Sequence, residues 1–542
     1  MRIGIDFDNT IAQYDDVFRA IAIKEKMLKS NWFGKNKSEI RDYLRFQPAG
    51  EQTWMRLQGL VYGKHMQSAE IMPNVANFLL SCRRRKYEVF IVSHKTEYGH
   101  FDPEKIPLRS EALKWMETKG FFSTKHIGIN KENVFFAKTR TEKVNIISNL
   151  KCTYFIDDLP EIFTEDQFPD QTRKILFGFY DAEYHPDKIV LNSWSEIFQR
   201  IFGEVTNEDI TFWLKHFFPP IERIKKIAGG GNSDVYQIHV QGFEPLALKH
   251  YPDRLLDKRH RLETEFHTLQ VLRKNGVPNV PKAVKKSKEL DLGLYEWIEG
   301  DKITTPTTQD LELVILFVKQ LNWVSKKIDP DVFTTASEAC LSAKELVSQV
   351  DHRLERLHRI GKRKPDLKFF LEGMFCPLWN QIKDECISFW PEESRENALP
   401  LRKQILSPSD FGFHNCLMKN DGSLAFLDFE YFGWDDPVKL TADFIWHPAM
   451  HLGNSLKQKW KAATIGLYSN DLDFEKRLHA SIPLYGMRWA LIILNNFSPN
   501  RNRKYHCLNT DSRQKLEKMQ KIQLKKAKYY CKLVKEKFRK LN

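Results

Sequence analysis

Short apolar runs alternate with amphipathic stretches through roughly the first 200 residues of the chain. The runs are RIGIDF, YEVFIVS, TYFIDD and KILFGF, and each ends in polar or turn-forming residues. Stretches such as NVANFLLSCRRRK and RSEALKWMETKG lie between them and carry apolar residues at helical spacing. This alternation predicts a parallel sheet with helices on its faces. A Lys-rich helical insert at about residues 14–70 interrupts it.

The pattern changes at about residues 204–218. IERIKKI, DVYQIHV and FEPLALKHY resemble antiparallel strands around a glycine turn, and RHRLETEFHTLQVLRKNG then has helical spacing. A further strand, LDLGLYEWIEG, precedes a mostly helical stretch at 308–400. We therefore expect one domain at 1–203, a second at 204–510 and a basic C-terminal helix at 511–542.

The positive charge is concentrated in the last segment. The chain has 542 residues and a formal charge of +14, and residues 511–542 contain twelve Lys or Arg against three Asp or Glu. The rest of the chain carries only about +5, which does not indicate a nucleic-acid-binding surface. We expect the terminal helix to pack on the preceding domain with its basic face in solvent. A weak contact with an anionic membrane surface is the alternative.

The cysteine pattern favours a reducing compartment. The eight cysteines are scattered and form no C-x-x-C pair, so we expect neither a disulfide framework nor a zinc cluster. The sequence has no signal-peptide pattern and no apolar stretch long enough to span a membrane. The expected location is cytoplasmic.

Several polar residues of the first domain fall where ligands bind in parallel-sheet folds, at the carboxyl ends of strands. They are Asp6, Asp8, Ser93, Asp157 and Asp158, joined by Lys143 in TRTEKVNIISNL. Asp6 can attack a phosphomonoester, and Asp8 can protonate the leaving oxygen and later activate water. Ser93 and Lys143 can stabilise the transferring phosphoryl group, although Lys138 competes with Lys143. A Mg²⁺ site can form from Asp6, Asp8, Asp157 and Asp158, with either Asp157 or Asp158 as the direct ligand.

These pieces, in this order, resemble the haloacid dehalogenase-like hydrolases. Asp6, Asp8 and Thr10 match the D-x-D-x-T motif of that superfamily, and Ser93, Lys143 and the Asp157–Asp158 pair match its other three motifs. The resemblance covers about residues 1–200. It implies an α/β Rossmann-like domain whose insert is a substrate-selecting helical cap, and a phosphatase because Asp8 is present.

A second set of acidic and amide residues lies in SPSDFGFHN and LAFLDFE. Asn415 follows Asp410 by five residues, the interval between a catalytic base and a metal-binding Asn in kinases. Asp428 then ends a strand, as a second metal carboxylate would. The D-F-G at 410–412 is a coincidence of letters in this interpretation.

The segments that precede Asp410 in the chain also contain residues typical of a nucleotide-binding site. The glycine turn contains Gly230, Gly231, Asn232 and Ser233, whose backbone N–H groups can cover phosphates. Lys249 on the next strand can contact the α- and β-phosphates, and Glu265 on the following helix can pair with it, with Glu263 as a competitor. Glu296 and Ile298 lie in the connector YEWIEG, whose backbone would approach the adenine.

This second set resembles the aminoglycoside/choline phosphotransferase family over about residues 215–500. The resemblance implies a two-lobed α+β protein-kinase-like domain that uses ATP and Mg²⁺. One position departs from the family, which usually has His-Gly before the base aspartate where this chain has Pro408-Ser409. That departure leaves an inactive relative as an alternative.

Together the two resemblances imply a bifunctional small-molecule phosphatase and ATP-dependent kinase. A sugar or polyol, or its phosphate, is the expected substrate class, in carbohydrate or surface-polysaccharide precursor metabolism. One alternative is a single active half with the kinase-like half as a binding module. Another is an antibiotic-modifying phosphotransferase.

Overall fold

The structure is a computed structural model that describes residues 1–32, 34, 36–102, 104–215, 219–227, 233–450, 452–498 and 510–538. The contacts divide the chain into two compact units. The first comprises Met1–Lys258 and Lys285–Leu294, and the second comprises Arg259–Val284 and Tyr295–Asn542.

A six-stranded parallel sheet forms the centre of the first unit. The first eight strands of the chain are β1 (Arg2–Ile5), β2 (Ala12–Gln13), β3 (Glu70–Ile71), β4 (Glu88–His94), β5 (Val134–Ala137), β6 (Tyr154–Asp157), β7 (Arg173–Phe177) and β8 (Ile189–Leu191). The sheet order is β5-β4-β1-β6-β7-β8, with all neighbours parallel. Because β1 lies between β4 and β6, the carboxyl ends of these three strands meet at one edge. Gly4 allows β1 to lie close to β6, since a Cβ atom there would come within 2.4 Å of the Phe155 ring.

The insert after β1 consists of three helices. They are α1 (Asp15–Lys24), α2 (Lys37–Arg45) and α3 (Gly50–Tyr62). Their apolar faces meet in a small core in which Phe18 stacks on Trp54, with ring centroids 5.2 Å apart. The two-residue strands β2 and β3 pair antiparallel at the base of the insert.

The parallel sheet is covered by helices that carry a large aromatic core. The helices after the insert are α4 (Val75–Arg84), α5 (Leu108–Thr118), α6 (Arg140–Leu150), α7 (Trp194–Phe202) and α8 (Asn207–Leu214). Phe78 of α4 lies 5.0 Å from both Trp194 and Phe202 of α7, measured between ring centroids. These contacts place the core between sheet and helices, as the apolar runs predict.

A five-stranded antiparallel sheet follows in the chain. Its strands are β9 (Ile221–Ile227), β10 (Asp234–Val240), β11 (Leu246–His250), β12 (Ala283–Ser287) and β13 (Leu292–Glu296), in the order β12-β13-β11-β10-β9.

Most of this antiparallel sheet belongs to the first unit and contacts the helices of the parallel sheet. Asn77 of α4 donates to the carbonyl of Leu290 at 3.1 Å, and Ser195 of α7 donates to Asp253 at 2.8 Å. The compact unit therefore extends beyond residue 203, and a domain boundary there stays a prediction.

The second unit is mainly helical. Its helices are α9 (Arg261–Lys274), α10 (Thr308–Ser325), α11 (Ala343–Gly361), α12 (Pro365–Phe370), α13 (Cys376–Ser388), α14 (Glu393–Glu396), α15 (Pro437–Trp446), α16 (Asn454–Leu467), α17 (Phe474–Ile492) and α18 (Thr510–Phe538). Its strands are β14 (Asp301–Lys302), β15 (Ile405–Ser407), β16 (Cys416–Met418), β17 (Leu424–Phe426) and β18 (Gly433–Asp435). Phe317 of α10 stacks on Phe426 of β17 at 3.8 Å and joins the helices to the strands.

The terminal helix α18 packs on the rest of the second unit. Tyr530 donates to the carbonyl of Trp446 at 2.8 Å, and Val534 is fully buried. Gly486 of α17 allows the close approach, because a Cβ atom there would meet Val534 at 2.5 Å. Two apolar residues of α18, Met519 and Ile522, are exposed. Among the described residues no helix is both long and apolar enough to cross a bilayer.

Candidate functional site

The edge of the parallel sheet gathers the predicted residues of the first unit. Asp6 directly follows β1, Ser93 lies near the end of β4, and Asp157 ends β6. The parallel register of β1 with both neighbours brings these three side chains to the same edge. Asp6, Ser93 and Asp157 are all buried.

Lys143 lies between two of these carboxylates. Its Nζ is 2.5 Å from Asp6 and 2.7 Å from Asp157, and the residue is 1% exposed. Burial acts to lower the pKa of Lys143, but the Asp157 and Asp6 carboxylates outweigh it and raise that pKa above its ordinary value. The competing Lys138 is exposed. Lys143 therefore supplies a fixed positive charge beside Asp6.

Asp6, Asp157 and Asp158 form a carboxylate cluster that fits a divalent cation. One oxygen from each lies within 4.8 Å of the others. Burial and the neighbouring Asp157 raise the pKa of Asp158 to about 7. Three carboxylates beside one ammonium group leave negative charge uncompensated, and hard oxygen ligands suit Mg²⁺. Asp157 is fully buried, and Asp158 is partly exposed with Asn9 at 3.3 Å.

The Asp8 carboxylate lies outside that cluster of three. It accepts hydrogen bonds from Lys95 at 3.0 Å and from Tyr14 at 2.6 Å, and Ser93 lies 3.5 Å away. Burial and the Asp8 carboxylate raise the pKa of Tyr14 well above its ordinary value, so its hydroxyl remains a donor. These contacts orient the Asp8 carboxylate, and its roles as acid–base group and as metal ligand stay predictions.

Sequence reasoning missed Lys95 and Tyr14. Lys95 is 3% exposed and directly follows the end of β4, two residues after Ser93. Its position at a strand end was a usable signal. Tyr14 comes at the start of the insert, and only the folded cap brings its hydroxyl to Asp8.

The insert brings a third lysine, after Lys143 and Lys95, towards this edge. The Nζ of Lys37 lies 5.6 Å from the ring centroids of both Phe18 and Tyr62. Burial acts to lower the pKa of Lys37, yet Tyr62 and the Asp158 carboxylate raise it. The cap therefore adds positive charge that acts on the acidic cluster.

In the second unit, Asp410 lies in the loop that joins β15 to β16. His414 Nε2 is 3.0 Å from its Oδ1, and His447 Nε2 is 3.5 Å from the same oxygen. Burial acts to raise the pKa of Asp410, but the hydrogen bond and charge of His414 outweigh it and lower that pKa to about 2. Burial, together with His414, lowers the pKa of His447 to about 3. Asp410 is therefore a carboxylate that can accept a hydrogen bond from a hydroxyl group.

The residue before Asp410 has a left-handed backbone. Ser409 has φ of 65°, a region that favours glycine. Its hydroxyl donates to the Ser337 carbonyl at 2.9 Å and accepts from Lys439 Nζ at 2.9 Å. Lys439 is itself buried and paired with Asp435 at 3.1 Å. These contacts fix the loop at the position where the family usually has glycine.

The β16–β17 hairpin brings Asn415 and Asp428 to the same end. Cys416 pairs with Phe426, and the next backbone bond joins the Leu427 N–H to the Asn415 carbonyl at 2.8 Å. Asp428 follows with φ of 68°, a second left-handed position. Backbone strain of this kind is common at ligand sites.

Asp428 also belongs to a second acidic cluster, with Glu265 and Glu430. Glu265 is buried on α9 and accepts from the Phe429 N–H at 3.3 Å, whereas Glu263 is outside this cluster. Glu430 is paired with Arg261 at 2.5 Å. These oxygen donors suit Mg²⁺ beside Asp428, while the Asn415 amide donates to the Asp410 carbonyl at 3.0 Å and keeps its oxygen for a cation.

The predicted nucleotide-contacting residues are only partly described. Gly230, Gly231 and Asn232 lie outside the described residues, and Ser233 is buried just before β10. Lys249 lies opposite Val235 in the β10–β11 ladder. Lys249 belongs to the first unit and Glu265 to the second, so their pairing stays a prediction.

The connector lines a cavity of the second unit. Glu296 and Ile298 are among the residues around a space of about 470 Å³, together with Arg273, Trp297 and Lys419. The Glu296 backbone N–H donates to the Lys282 carbonyl at 2.9 Å and is therefore already paired. Contact of this connector with adenine stays a prediction.

The aromatic residues near Asp410 are core residues. Phe411, Phe413, Tyr431, Phe432 and Trp434 are all at most 9% exposed. They offer no open face on which a sugar ring can stack.

Residues 223–478 match the sequence model of the phosphotransferase enzyme family. No curated protein matches the chain significantly. The matched part of the chain includes Asp410, Asn415 and Asp428 and is therefore similar to phosphotransferase enzymes.

Several solved structures resemble the chain distantly. A spectinomycin phosphotransferase with ADP and spectinomycin is 12% identical, covering 61% of this chain and 99% of its own, with a TM-score of 0.42. An aminoglycoside phosphotransferase with gentamicin is 14% identical, covering 60% and 96%, with a TM-score of 0.41. A choline kinase from Cryptosporidium parvum Iowa II is 11% identical, covering 59% and 98%, with a TM-score of 0.39. Similarity at this level says nothing about the substrate of this chain.

Proposed function

We propose that the chain is a bifunctional enzyme, an ATP-dependent small-molecule kinase joined to a phosphomonoester phosphatase. The match of residues 223–478 to the phosphotransferase family is the observation that supports the kinase most directly. The phosphatase rests on a separate observation, the position of Lys143 between Asp6 and Asp157.

In the kinase reaction Asp410 orients the hydroxyl group of the substrate. The hydroxyl oxygen attacks the γ-phosphorus of ATP, the bond to the β–γ bridging oxygen breaks, and the hydroxyl proton passes to Asp410 and then to solvent. Mg²⁺ bound by Asn415 and Asp428 would neutralise charge on the phosphates. The products are ADP and a phosphate monoester.

In the phosphatase reaction Asp6 is the nucleophile. One oxygen of Asp6 attacks phosphorus, the bond to the alcohol oxygen breaks, and Asp8 donates a proton to that oxygen. Water then attacks the aspartyl phosphate while Asp8 takes its proton, which releases inorganic phosphate and restores Asp6. Lys143 neutralises charge on the phosphoryl group, and Mg²⁺ bound by the Asp6–Asp157–Asp158 cluster would supply further positive charge.

A shared metabolite explains why both activities occur in one chain. The kinase would phosphorylate one hydroxyl group of a sugar or polyol, and the phosphatase would remove phosphate from another position. Action on the same position would only hydrolyse ATP. Such a relay suits the preparation of a sugar phosphate for surface-polysaccharide precursors, in the cytoplasm.

The test uses purified full-length protein with Mg²⁺ and γ-labelled ATP against a panel of sugars, polyols, their phosphates and aminoglycosides. Asp6→Asn should lower hydrolysis of a generic phosphomonoester by at least about 10³-fold, since it removes the nucleophile. It should also let a phosphorylated sugar accumulate. Asp410→Ala should abolish labelling of the sugar and leave the hydrolysis unchanged.

Two exposed aspartates provide matched controls. Asp166→Asn and Asp366→Ala lie outside both sites and should leave both activities intact. An Asp410→Ala variant with unchanged phosphorylation would contradict the kinase proposal. Wild-type protein that phosphorylates nothing in the panel but still hydrolyses the phosphomonoester would favour a binding module. Labelling confined to aminoglycosides would favour antibiotic modification instead.

A further inference from the structure

Two histidine rings are stacked against the Asp410 carboxylate. The ring centroids of His414 and His447 are 3.9 Å apart and the ring planes differ by 7°. His414 precedes Asn415 in the loop, whereas His447 directly follows α15. The edge of His447 also meets Trp489, whose ring centroid is 4.7 Å away at an interplanar angle of 84°. The pair is thus fixed from two separate elements.

The hydrogen bonds define the tautomer of each ring. The Ala449 N–H donates to His447 Nδ1 at 3.3 Å, so the proton of a neutral His447 is on Nε2, the atom that faces Asp410. His414 Nδ1 is buried and has no hydrogen-bond partner among the described residues, while its Nε2 contacts Asp410. A proton on Nε2 of His414 satisfies this arrangement, because the ring then donates to the carboxylate.

The stacking argues against a shared metal ion. The lone pair of an imidazole nitrogen lies in the plane of its ring. The His414 and His447 ring planes are nearly parallel and a stacking distance apart. No point near the two ring nitrogens therefore lies in both planes. One ion therefore cannot lie on both lone pairs, although the three groups have the composition of a metal site.

The contacts on Asp410 use only one of its carboxylate oxygens. Both histidines approach Oδ1, and Oδ2 has no hydrogen bond within the described part of the chain. The shorter contact, from His414, sets the orientation of the carboxylate, and His447 mainly supports the His414 ring.

We propose that His414 and His447 are positioning residues that hold Asp410 by Oδ1 and leave Oδ2 for the hydroxyl group of the substrate. The inference rests on the proposed kinase function. It also accounts for the departure at Pro408-Ser409. The Ser409–Lys439 contact holds the loop, and the histidine pair orients the carboxylate, so the histidine that usually stands two residues before the base is not needed.

The first test is nuclear magnetic resonance of the full chain labelled with ¹⁵N-histidine. His414→Gln and His447→Gln variants identify the two signals. Both rings should carry a proton on Nε2, and Asp410→Ala should shift the His414 Nε2–H signal. A His414 ring without a proton on Nε2, or a His414 signal that ignores Asp410→Ala, overturns the inference. So does stoichiometric Zn²⁺ binding that His414→Gln abolishes.

The second test separates hydrogen bonding from ring support in the sugar kinase assay. His414→Phe should lower kcat by about 100-fold with little change in KM for ATP, because the carboxylate is misplaced. His414→Gln retains an N–H donor and should recover much of that loss. His447→Phe keeps the stacked ring but loses the contact with Oδ1, so its kcat should lie between that of wild type and that of His447→Ala, which should resemble His414→Phe. The exposed His352→Gln is the matched control.

Equal kcat in His414→Phe and wild type overturns the inference. A folded chain that phosphorylates nothing in the panel contradicts the kinase proposal instead. In that case the magnetic resonance signature still decides whether the histidines hold Asp410.

Discussion

At the scale of residues, spacing predicted the nucleophile and base candidates but not the groups that hold them. Asp6 and Asp8 follow a strand in the sequence, so their place at the sheet edge follows from the strand itself. Tyr14 reaches Asp8 through the folded insert, and His447 reaches Asp410 from the end of α15. Such contacts have no local pattern. His414 did offer a signal, since it stands between Asp410 and Asn415.

Lys95 provides a residue-scale prediction for the phosphatase. Lys95→Met removes the buried ammonium group that binds Asp8, so the acid–base carboxylate loses its orientation. We expect kcat for a generic phosphomonoester to fall by about 10²-fold, with a smaller change in KM. Steady-state kinetics measure both values. The exposed Lys138→Met should behave as wild type, and equal losses in both variants would contradict the prediction.

His447 provides a pH-dependent prediction of stability. Its pKa is lowered to about 3 in the folded chain from 6.5, so the unfolded chain binds the proton more tightly and stability falls as pH drops from 6.5 towards 3. Its surroundings include His414, Asp410 and Lys526. At about pH 5 the loss due to this residue should be about 2 kcal/mol.

Denaturant unfolding of wild type and His447→Gln at neutral and mildly acidic pH measures this effect. The free energy of unfolding of His447→Gln should fall less than that of wild type as the pH drops. Parallel stability curves for the two proteins across that window would show that His447 is not buried in the neutral form.

At the scale of elements, the central strands of the parallel sheet were predicted and its edge strands were not. The four apolar runs correspond to β1, β4, β6 and β7. The strands β5 and β8 were missed; they are the two edge strands of the sheet, and β5 is as long as β1 and β6. The terminal helix α18 spans Thr510–Phe538 and buries Leu524 and Ala527.

The contact between α17 and α18 gives an element-scale prediction. Gly486→Ala puts a methyl group against Val534 and Trp446, at 2.5 and 2.7 Å, so the two helices must separate. We expect a loss of about 1–3 kcal/mol in the free energy of unfolding and faster proteolysis of α18. Gly466→Ala on α16 meets nothing within 4 Å and is the control. It should be neutral or slightly stabilising.

At the scale of the whole molecule, the compact units differ from the segments that the sequence suggests. The antiparallel strands match the kinase-like family, yet most of them belong to the same unit as the parallel sheet. The reason lies in side-chain contacts such as Trp213 to Ser81 at 3.1 Å and Arg85 to Asp209 at 2.6 Å. No change of composition marks such an interface, which is why residue patterns alone do not reveal it.

A chain that begins at residue 204 tests this grouping. It loses the partners of Asp209 and Asp253, and an unpaired buried charge costs about 3–5 kcal/mol. We expect a lower melting temperature for its antiparallel sheet and weaker nucleotide binding. The matched control is the full chain with a protease site inserted after Gly203, which keeps both pieces after cleavage. Equal melting of the shortened and the cleaved chains would contradict the prediction.

The small ladder between β2 and β3 has an evolutionary consequence. It pairs Ala12 with Ile71 and Gln13 with Glu70, so the insert leaves the parallel-sheet domain and returns to it at adjacent positions. A segment with neighbouring ends can be exchanged as a cassette without moving the strands that carry Asp6 and Asp157. A substrate-selecting role of the insert, which stays a prediction, would let its exchange change the substrate range while Asp6 and Asp157 keep their places on the sheet.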